Sequence, residues 1–193
     1  MFEKFDDATL RALHEIRLRG VVELDETESV TVLIHEGYAV RSTRGIRITT
    51  EGRTLHASWA RLPDGGDDEQ AARRAYERFL PLNRELLRIC NDWQVRAGGT
   101  PNDHRDATYD WSVLDRLHAL DERIGPIASR LGRAVPRFAP YRPQLRAALQ
   151  RIDDGETEWL TSPRFDSYHT VWMLMHEDLL LAIGGDRATE PDA

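Results

Sequence analysis

Hydrophobic positions along this chain recur with helical spacing nearly throughout, except for one stretch where they recur every second residue. Leu10, Leu13 and Ile16 follow Asp6 and Asp7, either of which can cap a helix that stops near Gly20. Leu24, Val30, Leu33 and Ile34 form the apolar face of a second helix. Asp25 or Thr27 can cap it, Glu28 stands in the capping-box position three residues after Asp25, and Gly37 is its stop. The period then changes to two. Tyr38 and Val40 alternate with Ala39 and Arg41, and Ile46 and Ile48 with Arg47 and Thr49. That alternation predicts a half-buried hairpin with its arginines in water and Gly45 at a turn position of positive φ. Thr50 is placed to cap a further helix through Leu55 and Trp59.

Pro63-Asp64-Gly65-Gly66-Asp67 is a cluster of breakers and reads as a linker. Beyond it, a helix over residues 68–95 brings Ala72, Tyr76, Phe79, Leu82, Leu86, Ile89, Cys90 and Trp93 to one face, with a kink or split expected at Pro81. A loop over 97–106 precedes a helix over 107–124 with Trp111, Leu114, Leu117 and Leu120 along its stripe. Gly125-Pro126 predicts an interruption, followed by a short helix carrying Ile127 and Leu131. Residues 136–143 read as a bend, and Leu145, Leu149 and Ile152 as a helix ending at Gly155. A last helix starts near Asp166, buries Val171, Met175, Leu179 and Ile183, and stops at Gly184-Gly185. The expected fold class is mainly α with a small β-hairpin. The expected division is a small domain over 1–62, a linker over 63–67, a helical bundle over 68–185 and a disordered tail over 186–193.

Charge narrows the partners. The 193 residues carry 26 basic and 33 acidic side chains, a net −7, so any contact with nucleic acid must be a local patch. Residues 38–62 are such a patch, with five arginines against Glu51. Cys90 is the lone cysteine, which fits a reducing cytoplasm, and no apolar run is long enough for a membrane span. A cytoplasmic protein with no membrane partner is expected.

Polar side chains of the second half cluster around Asp92 and Trp93, around Asn102, Asp103 and His104, and around Tyr168 and His169 with His176. His169 and His176 are two helical turns apart, with Trp172 between them on the same side. Facing the 102–104 loop, these residues can line a pocket for a small acidic or polar effector. A metal site through His104, His169, His176 and a carboxylate is the less favoured reading, and structural pairing within a bundle is the more common role of such groups. Neither a phosphate loop nor a nucleophile paired with a base occurs, so no catalytic residue, no cofactor and no enzyme activity are expected.

The hairpin of Arg41, Arg44 and Arg47, ending in Thr50-Glu51-Gly52-Arg53, resembles the wing of MarR-like winged-helix regulators. The resemblance covers residues 7–62. It implies an N-terminal winged-helix domain, double-stranded DNA as partner, and a homodimer assembled by the bundle. Arg41, Arg44, Arg47 and Arg53 would then meet the DNA, and Ser29, Thr31 and His35 would be the residues of the second helix able to reach bases. The pattern departs from the family in one respect. Residues 21–26 are too few for the support helix, and the second helix carries Asp25, Glu26, Glu28 and Glu36 with no Lys or Arg. The second half is similar to a helical region found beside winged-helix segments in actinobacterial MarR-like regulators, through residues 86–94, Pro101-Asn102-Asp103-His104, and residues 166–172 with His176-Glu177-Asp178-Leu179. A region of this kind is also associated with phosphoenolpyruvate-utilising enzymes. The missing support helix and the acidic second helix support an alternative, an adaptor that docks on an enzyme or another protein without binding DNA.

Overall fold

A computed structural model of the chain describes residues 5–23 and 27–185. It is mainly α-helical with one small antiparallel sheet, and its contacts form two units. One unit takes the chain up to Asp64 together with its end from Leu180 onward; the other takes Gly65–Leu179.

The first unit contains α1 (Asp7–Arg19), β1 (Val21–Val22), α2 (Glu28–His35), β2 (Ala39–Ser42), β3 (Gly45–Ile48) and α3 (Thr50–Ala60). Asp6 starts α1 by accepting the Thr9 N–H at 2.8 Å, and Gly20, at φ 78°, ends it. Thr27 caps α2, while the other expected cap, Asp25, and Leu24 of the expected apolar face lie outside the described residues. Two crossed backbone bonds close α2: Gly37 N–H to the Ile34 carbonyl and Tyr38 N–H to the Leu33 carbonyl. This closure needs the left-handed conformation that Gly37 adopts at φ 80°.

The strands pair in the order β1-β3-β2, all antiparallel. Leu13 and Ile16 from α1, Val30 and Leu33 from α2, and Val22, Ala39, Ile46 and Ile48 from the sheet share one core with Leu55 of α3. The hairpin register corrects the expected phase in β2. Ala39 pairs with Ile48 and is buried, whereas Val40 pairs with Arg47 and is 42% exposed. Facing partners share one side of a sheet, so Ile48 sets the phase and the small Ala39 takes the inward place.

The second unit holds α4 (Asp67–Gln94), α5 (Ala107–Ala134), α6 (Tyr141–Asp153) and α7 (Tyr168–Ile183) as far as Leu179. Short 3-10 turns at Pro136–Phe138 and Thr157–Trp159 join its later helices. The split expected as one outcome at Pro81 and the interruption expected at Gly125-Pro126 are absent: α4 is continuous through Pro81 and α5 through Gly125-Pro126. In each case the carbonyl deprived of a donor, on Glu77 or Glu122, belongs to an exposed residue and can turn to water. Trp111 also departs from expectation, at 63% exposure. The stripe that α5 buries is Val113, Leu114, Leu117, Leu120 and Ile124, and position 111 falls off it.

The bundle interior carries two ionic inlays. Asp121 of α5 accepts from Arg142 at 2.6 Å and from the Tyr168 hydroxyl at 3.0 Å. Asp178 of α7 lies 3.0 Å from Arg137 and accepts from the Tyr141 hydroxyl at 3.2 Å. Gly125 lies beside the first of these, and a Cβ there would stand 3.0 Å from the Arg142 guanidinium carbon. Among the described residues no helix is long and apolar enough to cross a membrane.

Candidate functional site

The β2–β3 hairpin is the most cationic feature of the first unit, and its shape follows from few residues. Ser42 and Gly45 pair at the tip, leaving Thr43 and Arg44 as the loop. The Ser42 hydroxyl accepts the Arg44 N–H at 3.3 Å and donates to the Gly45 carbonyl at 2.7 Å. Gly45 has φ 122°, and a Cβ there would overlap the Val22 carbonyl oxygen of β1. The tip is therefore fixed against the sheet by a residue that has no side chain.

The helix after the hairpin is capped by Thr49, not by Thr50 as its sequence neighbourhood predicts. Thr49 is extended (φ −84°, ψ 177°), its hydroxyl accepts the Gly52 N–H at 3.0 Å and donates to the Gly37 carbonyl at 2.7 Å. Its own N–H donates to the Tyr38 carbonyl at 3.1 Å. Thr50 has already entered the helix and cannot fill the cap. Gly52 sits so close to β2 that a Cβ would overlap the Tyr38 carbonyl oxygen and lie 2.8 Å from Ile48 Cγ1. The glycine of Thr50-Glu51-Gly52-Arg53 is thus a packing requirement.

Arg41, Arg44, Arg47 and Arg53 are all exposed. They do not share one side. Arg47 stands with Val40 on the outer face of the ribbon, Arg41 stands on the Ile46 side near the tip, and Arg44 occupies the turn. Arg44, Arg47 and Arg53 have no ion-pair or hydrogen-bonding side-chain partner among the described residues. On α2, Thr31 and His35 are exposed and Ser29 is half-buried, and His35 Nδ1 lies 3.5 Å from Glu36. Between α1 and α2 the described residues are the caps Gly20 and Thr27, the strand β1 and Glu23. Behind this surface, His14 Nδ1 and the buried His56 Nε2 of α1 and α3 share a 2.8 Å hydrogen bond, and their rings stack 5.1 Å apart. Nothing in the spacing of two residues 42 positions apart announces this pair.

The polar residues grouped by the sequence into one pocket occupy separate places in the second unit. His104 lies over Trp93 with ring centroids 4.5 Å apart, and its Nδ1 is 3.0 Å from Asp110 Oδ2. Asn102 donates to the Trp93 carbonyl at 3.1 Å and to Asp110 Oδ1 at 2.8 Å. These bonds hold the 95–106 loop against α4 and α5, and His104 adopts φ 55° within it. Asp110, absent from the sequence reading, is the residue that joins Asn102 and His104; its place one turn into α5 was the available signal. Asp92 binds Arg116 at 2.7 Å, and the exposed Asp103 accepts the Arg105 N–H at 3.2 Å.

His176 lies instead beside Tyr76 and Phe79, at centroid distances of 6.2 and 5.0 Å. Trp172 stacks on Phe79 and donates through Nε1 to Asn83 at 2.9 Å. From Phe79 to Trp93 is 14 residues of one helix, roughly 21 Å along its axis. His104 and His176 therefore do not face a common cavity, because they rest on different parts of α4. Tyr168 is buried, and its phenol is pushed well above its usual range by burial first and by the Asp121 charge next. His169 is half-buried, and burial lowers its pKa from the ordinary 6.5. Among the described residues no three His, Cys, Asp or Glu side chains gather as a metal site.

Compared with protein-family models, with curated proteins and with solved structures, the chain gives no match.

Proposed function

We propose that the chain is a DNA-binding regulator whose first unit is a reduced winged helix, with the β2–β3 hairpin as its wing. The order α1-β1-α2-β2-β3-α3 and the sheet order β1-β3-β2 support the winged-helix reading. One observation carries the DNA reading: Arg44 and Arg47, with Arg53 beside them in sequence order, are exposed and unpaired with acids among the described residues of an acidic chain. Such groups contact phosphates and position the protein without reading bases. The proposal includes a homodimer, which brings two wings to one duplex.

Fluorescence anisotropy of the full chain on its upstream DNA tests this. Three phosphate contacts from each of the two wings imply a loss of affinity of about 2,000-fold between roughly 50 and 200 mM salt. With R44E/R47E about one contact per wing remains, and the loss shrinks to about twelvefold. Binding that ignores salt, or is untouched by R44E/R47E, refutes the reading.

A second reading, an adaptor that binds protein and not DNA, is favoured by α2. From Glu28 to His35 it has no Lys or Arg, and Glu28 is exposed, so this helix repels phosphate. Co-purification from the native host tests it, and recovery of the protein alone counts against it.

A further inference from the structure

A trough runs between the first half of α4 and the last turns of α5. Its floor is apolar, formed by Ala71, Ala75, Ile127 and Leu131, and its rim is Arg74, Arg78 and Arg130. The space measures about 190 Å³, and no acidic residue lines it. The three guanidinium groups are exposed and have no ion-pair or hydrogen-bond partner among the described residues. Of the other arginines of these two helices, Arg73 pairs with Glu69, Arg116 with Asp92 and Arg123 with Glu85, while Arg88 and Arg133 are exposed but do not line the trough. In a chain of net charge −7, three unpaired arginines around an apolar floor select an anionic, amphipathic occupant.

We infer that this trough is the docking site for an acidic amphipathic helix of a partner protein. Three features favour a helix over a small molecule. The trough is open along two helical turns, about 10 Å, and small-molecule sites instead enclose most of their ligand. Ala71 and Ala75, one turn apart on α4, leave a hole of the kind that receives one large apolar side chain. Arg74 and Arg78 are also one turn apart, about 6 Å, which is the spacing of carboxylates at positions i and i+4 on another helix. Arg130, on the opposite wall, takes a third acid. The planar guanidinium fork matches a carboxylate in two parallel bonds, which gives this pairing its geometry. None of this depends on the wing or on DNA.

The test uses the full chain and a synthetic helical peptide of about sixteen residues, with leucines on one face and glutamates flanking them at four-residue spacing. A scrambled peptide of the same composition, and decanoate, are the comparators. Fluorescence anisotropy at low salt should show the patterned peptide binding at least about tenfold more tightly than the scrambled one. R74E/R78E should weaken it at least about tenfold, and A71L, which fills the trough and keeps every charge, should do the same. R88E, on an exposed α4 arginine outside the trough, should change it less than about twofold. Circular dichroism confirms that each variant is folded. Equal binding of the scrambled peptide, or an equal loss in R88E, overturns the inference in favour of diffuse charge attraction. Decanoate binding that A71L abolishes, with no peptide binding, overturns it in favour of a small-amphiphile site.

Discussion

Replacing Gly52 by alanine sets two effects against each other inside α3, and the structure decides the sign. In an exposed helix interior the change would stabilise by about 1 kcal/mol, from helix propensity. At position 52 the new methyl overlaps the Tyr38 carbonyl oxygen and lies 2.8 Å from Ile48 Cγ1, where backbone on one side and a buried core residue on the other leave it no room. The start of α3 must move away from β2. That movement breaks the bonds by which Thr49 ties the two together: its hydroxyl to the Gly37 carbonyl at 2.7 Å and its N–H to the Tyr38 carbonyl at 3.1 Å. Two lost hydrogen bonds cost about 2 kcal/mol, and displaced core contacts of Ile48 add about 1 more. The net expectation is a loss of about 2 kcal/mol. Urea unfolding of the full chain, with hydrogen exchange read at the Ile46 and Arg47 amides, isolates the effect to the first unit. Thr54→Ala, at an exposed position of the same helix, is the reference and should stay within about 0.5 kcal/mol of the parent. A Gly52→Ala chain as stable as the parent, or more so, would show that the close approach of α3 to β2 is not a constraint.

Arg142→Ala strands the Asp121 carboxylate in the bundle; with Arg142 partly exposed, the expected loss is about 2–4 kcal/mol in urea unfolding, and D121N/R142M should lose less than the single change. The half-buried His169 resists protonation in the folded state, so the unfolded chain binds the extra proton and stability falls as pH drops below about 6.5; His169→Gln should flatten that slope between pH 7.5 and 5.5, measured by urea midpoints. Burial pushes the Cys90 thiol up to about 12, so at pH 8 the native chain should resist a thiol reagent and react only once denaturant is added.

Much of the secondary structure was legible because it rests on local chemistry. Asp6, Gly20 and Gly37 announce helix ends through capping and positive φ, and the stripe from Ala72 to Trp93 is a plain 3.6-residue period. What the sequence hid depended on partners far along the chain. Thr50 reads as the cap, and only the Gly37 carbonyl, which takes the Thr49 hydroxyl, moves the cap back by one residue. Val40 is the more apolar choice for the inward face, yet pairing with β3 puts Ala39 there. Pro81 and Pro126 signal breaks, but each helix tolerates a proline whose lost acceptor faces water. The histidines had spacing consistent with one cluster, and only the length of α4 separates them. The exposure of Arg47 was readable from period two, whereas Arg41 shares the Ile46 side and is exposed near the tip, a placement that came from register.

Gly125 reads in the sequence as the place where a helix stops, and in the fold it lies against the counterion of a buried acid. Its bare backbone gives the Arg142 guanidinium a seat beside α5, and from that seat Arg142 neutralises Asp121, which in turn anchors Tyr168 of α7. A methyl added at this spot would stand 3.0 Å from the guanidinium carbon, so the end of the Arg142 side chain would have to give by a few tenths of an ångström while keeping its hold on Asp121. The absence of a side chain here serves as the counterion's berth.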